Sequence, residues 1–243
     1  MDLAGPVRPK SLGGAPYILN LFDIYTRFSW TIVLKAKSEA QTKIKEWIPV
    51  AERQAGTKLQ VIRSDNGGEF LPLAFISWLK LHGVTQQTTP PRYPESNGLA
   101  ERLNRTLQDK CRTMMVAAKV PGYLWAEFYD AANTLRNLTP VTNLPLTPLE
   151  MWAGSKPDLS KLRVLGCSAF CQIDKSQRGG KFEPLAYKGV LVTSAAIPTE
   201  CGIQQIPRST TWENQHSMKQ QLQGGGDNQS AAATAKTTTT TCQ

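Results

Sequence analysis

Two carboxylates, Asp65 and Glu101, have the side-chain type and spacing best suited to chemistry in this sequence. Asp65 follows a short apolar stretch, residues 59–63, which predicts a strand. Glu101 stands in the first turn of a predicted helix that begins after a Pro-rich loop. The 35 residues between them have room for a helix, a strand and a loop. Both carboxylates can therefore meet at one edge of a sheet.

Carboxylate oxygens gathered at one edge are suited to a hard divalent cation, Mg²⁺ or Mn²⁺. Two such ions about 4 Å apart activate a water or hydroxyl nucleophile and stabilise the leaving oxygen in phosphodiester exchange. The ordinary alternative is a turn aspartate and a surface glutamate paired with Arg105, worth only a few tenths of a kcal/mol. Each residue alone favours the ordinary interpretation, and the residues by themselves leave both alternatives open.

The charge balance favours a polyanionic partner, most simply nucleic acid. The 243 residues include 28 Lys and Arg against 19 Asp and Glu, which gives a net charge of +9 and a pI of about 9.4. Residues 99–120 carry five of these cations and two acids. A helix with that excess is suited to contact phosphates, although a solvated helix face is the alternative.

Several classes of protein are disfavoured. The sequence has no run of eighteen apolar residues and no apolar signal region at its N-terminus, so we expect neither a membrane protein nor a secreted one. Five scattered cysteines, an odd number, indicate free thiols in a reducing compartment. Neither histidine is near Cys167 or Cys171 in the sequence, and we expect no zinc site.

The pattern of elements predicts an α/β fold with a mixed sheet. Residues 17–34 are rich in β-branched and aromatic side chains and predict two strands joined by a turn at 25–27. The predicted elements that follow are a helix over 38–55, a strand over 59–63, a helix over 72–82, a strand over 84–88 and a helix over 99–120. We expect Ser38 to cap the first helix and Pro49 to kink or break it.

The predicted core residues follow helical spacing. In the helix over 72–82, these are Phe75, Ile76, Leu79 and Leu81. In the helix over 99–120, Leu99, Leu103 and Leu107 form an apolar stripe that Cys111, Met114 and Met115 continue.

The chain is predicted to have four parts. These are a core over 1–120, a helical extension over 121–160, a small degenerate β-rich unit over 161–213 and a low-complexity tail over 214–243. We expect the extension to hold helices over 123–137 and 144–152, and the β-rich unit to hold strands over 161–173 and 187–193. The tail consists largely of Gln, Gly, Ala and Thr, which cannot bury a core, and we expect it to be disordered.

Two stretches closely resemble the catalytic core of copia-type retrotransposon integrases. They read SDNGGEF at 64–70 and PESNGLAERLNRTL at 94–107. Shorter matches at 2–6, 11–14, 22–27 and 162–167 extend the resemblance over roughly residues 2–192. It implies an RNase H-like fold, a five-stranded mixed sheet flanked by helices. It also implies a metal-dependent polynucleotidyl transferase that trims element ends and joins them to target DNA.

The resemblance also implies functional residues and partners. The three acidic metal ligands of the family map onto Asp2, Asp65 and Glu101, which would hold Mg²⁺ or Mn²⁺, two ions in all. The residues implied to meet DNA are Asn97, Arg102, Arg105, Lys110 and Arg112. A homo-oligomer on DNA and action in the nucleus are further implications, the latter from the substrate alone.

The sequence departs from the family pattern at its start. A zinc-binding His/Cys module does not precede the core, and Asp2 lacks the apolar residues that precede this aspartate in the family. We expect an N-terminally truncated core whose first strand is three or four residues long and frays, with Asp23 as a weak substitute ligand. Three functions follow as alternatives: a DNA-joining enzyme, an inactive remnant that only binds DNA, and an RNase H-like nuclease that only hydrolyses.

Overall fold

The fold is built from alternating strands and helices. The structure, a computed structural model, describes residues 1–88, 98–173, 176, 178, 180, 182 and 184–192. Its strands are β1 (Asp2–Ala4), β2 (Tyr17–Phe22), β3 (Ser29–Leu34), β4 (Val61–Ser64), β5 (Thr85–Thr88), β6 (Ser168–Gln172) and β7 (Ala186–Val190). Its helices are α1 (Ala40–Ala55), α2 (Leu73–Leu81), α3 (Gly98–Ala118), α4 (Trp125–Leu138) and α5 (Pro148–Ala153). The predicted α/β class is confirmed.

The first five strands form two hydrogen-bonded sheets. β1, β2 and β3 are antiparallel neighbours in that order, and β4 and β5 form a parallel pair. The Met1 amino group donates a hydrogen bond of 2.7 Å to the Arg63 carbonyl, which links the start of β1 to β4. Parallel and antiparallel pairs are therefore both present, as a mixed sheet requires. A single sheet of five strands stays a prediction.

The two faces of β2 contact different helices, because successive side chains of a strand point to opposite sides. Leu19 and Leu21 belong to a buried cluster that includes Ile44 of α1 and Phe75 of α2. On the opposite face, Asn20 is buried and donates a hydrogen bond to Asn104 of α3. This second face is the one that brings α3 to the strand carrying Asp2.

The start of α1 differs from the prediction, and of the kink or break expected at Pro49 only the break is excluded. Ser38 lies in a 3₁₀ turn, Lys37–Glu39, and α1 begins after it with no side-chain cap, so the predicted cap is wrong. Pro49 does not break α1, which runs on to Ala55. The flanking Ile48 and Ala51 are buried, and their packing holds the helix on both sides of the proline.

The apolar faces of α2 and α3 are confirmed except at one end of each. Phe75 and Leu79 are fully buried one turn apart, but Leu81 is 84% exposed because it lies in the last turn, on another face. In α3, the apolar stripe predicted from the sequence is buried from Leu103 to Cys111, and Leu99 at the start of the helix is 37% exposed.

The chain divides into two compact units, Met1–Lys161 and Leu162–Gln243. Within the first unit, α4 packs against α3 and β3, and α5 packs against α4 and α1. Within the second, β6 and β7 form an antiparallel pair, shorter than the predicted strands. The predicted four-part division stays a prediction, and its tail over 214–243 lies outside the described residues. None of the helices described is long and apolar enough to cross a membrane.

Candidate active site

Asp2 is held in place by the sheet and by α3. Its strand has the predicted length of three residues, but it is paired with β2, with Asp2 opposite Asn20, and the preceding Met1 is buried. The half-buried carboxylate also accepts a hydrogen bond from Nδ2 of Asn104. Sheet pairing and a side-chain contact therefore both hold Asp2, while the expected fraying of this strand stays a prediction.

Asp65 stands directly after β4, as predicted, in a turn that its own side chain closes. The Gly67 amide donates a hydrogen bond of 3.1 Å to Asp65 Oδ1. A Cβ added at Gly67 would stand 3.0 Å from Asp65 Oδ1 and 3.0 Å from Glu69 Oε1. A larger residue here would have to displace one or both of these carboxylates, and Glu69 is an acidic neighbour that the sequence reasoning missed. The signal was present in the spacing of acids and glycines over 65–69.

The carboxylates of Asp2 and Asp65 lie close enough to interact. Burial raises the pKa of Asp2, and the negative charge of Asp65 raises it further, while the hydrogen bond from Asn104 acts in the opposite direction. Two carboxylates whose charges repel each other in a half-buried place form an oxygen donor set suited to a hard divalent cation. The residues present therefore fit the metal that the sequence implies.

Glu101 lies one turn of α3 away from Asn104, the residue that contacts Asp2. Its carboxylate does not form a three-residue cluster with those of Asp2 and Asp65. Glu101 lies in the first turn of α3 with an exposed side chain, three residues before Asn104, whose amide contacts Asp2. Residues three apart are neighbours on a helix surface. Within the described part of the chain, no group of three or more His, Cys, Asp or Glu side chains is arranged to hold a metal ion. The site of Asp2, Asp65 and Glu101 stays a prediction.

A buried polar network supports Asp2, and sequence reasoning missed it. Asn20 Nδ2 donates to Asn104 Oδ1 at 2.6 Å and to Tyr129 Oη at 3.0 Å, so strand β2 and helices α3 and α4 are tied together beneath the carboxylate. Burial raises the pKa of Tyr129 to about 12, which keeps the phenol neutral. One sequence signal was available: Asn20 interrupts an otherwise apolar strand.

Asp23, the predicted substitute ligand, has a different role. Its Oδ2 accepts hydrogen bonds from the Thr26 amide at 2.7 Å and from the Thr26 hydroxyl at 2.6 Å. This carboxylate closes the turn between β2 and β3, and such a turn is the usual role of an aspartate in that position. The part of Asp23 as a substitute ligand stays a prediction.

The cations predicted to meet DNA lie on two rows of α3. Arg105 and Arg112 are exposed and follow Glu101 at helical spacing, and Arg112 also forms an ion pair of 3.0 Å with Asp109. Arg102 and Lys110 lie on another row, eight residues apart. Asn97 lies outside the described residues. Contact between these residues and DNA stays a prediction.

Comparison with known proteins identifies the class of this domain. Residues 1–94 match the family of the integrase core domain. The order of the elements, three antiparallel strands followed by alternating helices and strands, agrees with the RNase H-like fold implied by the motifs. The predicted fold class is confirmed.

Two transposon polyproteins are similar over most of the chain. The retrovirus-related Pol polyprotein from transposon TNT 1-94 of Nicotiana tabacum is 36% identical over 178 residues, 73% of this chain and 13% of that protein. The polyprotein from transposon RE2 of Arabidopsis thaliana is 31% identical over 198 residues, 78% of this chain and 14% of that protein. The chain thus carries an integrase core domain of the copia type and spans about one seventh of these relatives.

Two solved structures are also similar. One is the HTLV-2 integrase catalytic core domain in complex with magnesium, at 17% identity and a TM-score of 0.45, covering 62% of this chain and 95% of that one. The other is a simian T-cell lymphotropic virus intasome in complex with the PP2A regulatory subunit B56 gamma, at 17% identity and a TM-score of 0.49, covering 78% of this chain and 67% of that one.

Proposed function

We propose that this chain is a retrotransposon-derived integrase core that binds DNA, cleaves a phosphodiester bond and transfers the new strand end to target DNA. The observation that carries the proposal is the pair of carboxylates from β1 and the end of β4, with Asp2 held by a hydrogen bond from α3, the helix that also carries Glu101. The similarity to Pol polyproteins of copia-type transposons supports the same role.

Each residue has a separate part in this proposal. Asp2 and Asp65, joined by Glu101, would hold Mg²⁺ or Mn²⁺, two ions in all. When bound, these ions supply charge neutralisation and activation of the attacking hydroxyl. Asn104 orients the Asp2 carboxylate, and the amide of Gly67 orients that of Asp65. Arg105 and Arg112 of the same helix face would hold the phosphates of the substrate.

The proposal includes the setting in which the reaction takes place. Action on chromosomal DNA would place the protein in the nucleus, and joining two DNA ends to one target would need several copies of the chain on DNA. Light scattering of the protein with and without a DNA duplex measures this assembly. A mass that corresponds to one copy in both samples would contradict it.

The test is nicking and joining of a labelled DNA duplex in Mg²⁺ and in Mn²⁺. We expect the wild type to form both products, and Asp65→Asn and Glu101→Gln to form neither while still binding DNA. Asp109→Asn is the matched control, because it removes a carboxylate from the same helix outside the site, and we expect it to keep both activities.

Two results would replace the proposal by one of its alternatives. Nicked product without joined product, lost in Asp65→Asn, would identify a nuclease. DNA binding by all four proteins with no nicking by any of them would identify a remnant that only binds DNA. One observation favours the remnant: Glu101 is exposed and, among the residues described, belongs to no three-residue cluster that could hold a metal ion.

A further inference from the structure

A wide groove of about 1600 Å³ lies in the first unit, apart from the three predicted acidic ligands. It is bordered by the turn between β2 and β3, the start of β4, the Arg102 row of α3, and the residues at and after the end of α4. Its cationic side chains are Arg27, Lys58, Arg63, Arg102, Lys110 and Arg136. Asp2, Asp65 and Glu101 do not line it.

The two acids that line the groove already have partners. Glu52 forms an ion pair of 2.9 Å with Lys58 and accepts a hydrogen bond from the Leu59 amide. The carboxylate of Asp23 closes the hairpin turn with Thr26. In the part of the chain that the structure describes, the groove therefore carries excess positive charge, and neither Arg27 nor Arg136 has an ion pair with a carboxylate.

Arg27 and Arg136 bring two guanidinium groups to one place. The Arg136 guanidinium donates to the Arg27 carbonyl, and the guanidinium carbons of Arg136 and Arg27 stand 5.4 Å and 5.9 Å from the centroid of the Phe22 ring. Burial and the neighbouring Arg27 charge lower the pKa of Arg136 to about 10, so the Arg136 guanidinium still carries its charge at neutral pH. Like charges held together in this way favour an anion between them.

One atom of this pair has an unmet requirement. Nη1 of Arg27 is buried and has no hydrogen-bond partner among the residues described. A buried, charged N–H group without an acceptor is unfavourable, and an acceptor from outside the chain would satisfy it. The planar guanidinium fork matches the oxygens of a phosphate, with which it forms two parallel hydrogen bonds.

We propose that Arg27 and Arg136 form a phosphate-binding subsite that takes a backbone phosphodiester of DNA lying in the groove. Arg102 and Lys110 of α3 line the same groove, so a strand bound here would have further cations available for its phosphates. Tyr25, 77% exposed at the hairpin turn, lines the same groove and offers a ring on which a base can stack. This inference rests on the proposed function only in its choice of DNA as the polyanion.

The test is the salt dependence of DNA binding by Arg27→Gln, which removes the charge and keeps a polar side chain. Binding of a fluorescent duplex is measured by anisotropy over a range of salt concentrations, with Asp65→Asn in every protein so that no substrate is cut. One lost phosphate contact lowers the slope of log K against log salt by about 0.9, and we expect affinity to fall about 5- to 10-fold at 0.1 M salt. Arg53→Gln is the matched control, because Arg53 is an exposed arginine of α1 that does not line the groove.

An equal slope in Arg27→Gln and the wild type, or an equal change in Arg53→Gln, would overturn the subsite. Arg27→Lys keeps the charge without the fork, and we expect it to keep the slope and lose part of the affinity. This variant also provides the test if Arg27→Gln does not fold, and a wild-type affinity would then count against the subsite.

A second measurement separates DNA from a small anion. Thermal unfolding is followed with added inorganic phosphate, which should stabilise the wild type more than Arg27→Gln. Stabilisation by phosphate together with an unchanged DNA slope would overturn the assignment to DNA. A failure of the proposed function gives a different result. If nicking and joining are absent but Arg27→Gln still weakens DNA binding, the proposed function is wrong and the subsite is supported.

Discussion

Replacement of Asn104 by leucine removes the support of Asp2 at nearly constant side-chain volume. Two hydrogen bonds are lost: the neutral one from Asn20, worth about 1 kcal/mol, and the one to the Asp2 carboxylate, worth about 1.5–3 kcal/mol. Residue 104 is only 9% exposed, so burial of the leucine side chain stabilises the variant by about 1 kcal/mol. We expect the free energy of unfolding to fall by about 2 kcal/mol, which lowers Tm by about 4–8 °C in a domain of this size.

The pH dependence of this loss identifies its cause. The hydrogen bond from Asn104 lowers the pKa of Asp2, so its removal raises that pKa further. The bond to an ionised carboxylate is lost only where Asp2 is ionised. The difference in the free energy of unfolding between variant and wild type is therefore fully present above the pKa of Asp2 in the folded variant. It shrinks as the pH falls from there through the lower pKa of Asp2 in the folded wild type. Urea unfolding in EDTA, from pH 4 to pH 8, measures this difference, and contributions from other groups cancel.

The matched control is the same substitution in an Asp2→Asn background. In that background the charged acceptor is absent, so Asn104→Leu should lower the free energy of unfolding by less, and by an amount that does not vary with pH. A loss of equal size at every pH in both backgrounds would show that Asn104 serves packing alone. No loss at all would show that its contacts with Asp2 and Asn20 do not stabilise the fold.

Two further predictions concern buried titratable groups. Burial and the Asp65 charge raise the pKa of Asp2, so ionised Asp2 destabilises the metal-free fold. Asp2→Asn should therefore raise the urea midpoint of unfolding at pH 7. Below the pKa of an unfolded aspartate, about 3.9, the substitution should give no increase in stability. An unchanged midpoint at pH 7 would argue against it. Burial raises the pKa of the Cys111 thiol to about 11, so at pH 8 its alkylation, followed by peptide mass spectrometry, should be slow until urea unfolds the protein. Rapid alkylation of the folded protein would contradict that expectation.

Much of the fold was predictable because its signals are local. Hairpin residues 17–34 and the helices over 72–82 and 99–120 follow from periodicity and turn residues within a few positions of one another. Residue type alone did not decide where α1 begins or whether it continues past Pro49. Ser38 has the residue type of a cap, but a 3₁₀ turn begins first, and tertiary packing of Ile48 and Ala51 keeps α1 whole across Pro49.

For the candidate site, the sequence proposes residues but not their arrangement. Motif and spacing identify Asp65 and Glu101, and resemblance adds Asp2. The turn at Gly67 places Glu69 beside Asp65, and the pairing of β1 with β2 places Asp2. Asp23, which follows β2, accepts hydrogen bonds within its own turn, as Asp65 does, and only the structure shows these contacts.

By itself, the sequence determined the α/β class and the order of the elements, and it proposed the candidate acids, since these depend on patterns within short stretches of chain. Only the tertiary structure decided how the acids are supported. The contact of Asn104 with Asp2 joins residues 102 positions apart, and that of Asn20 with Tyr129 joins residues 109 apart. Such contacts depend on which faces of β2, α3 and α4 meet, and the packing of the whole unit sets this arrangement.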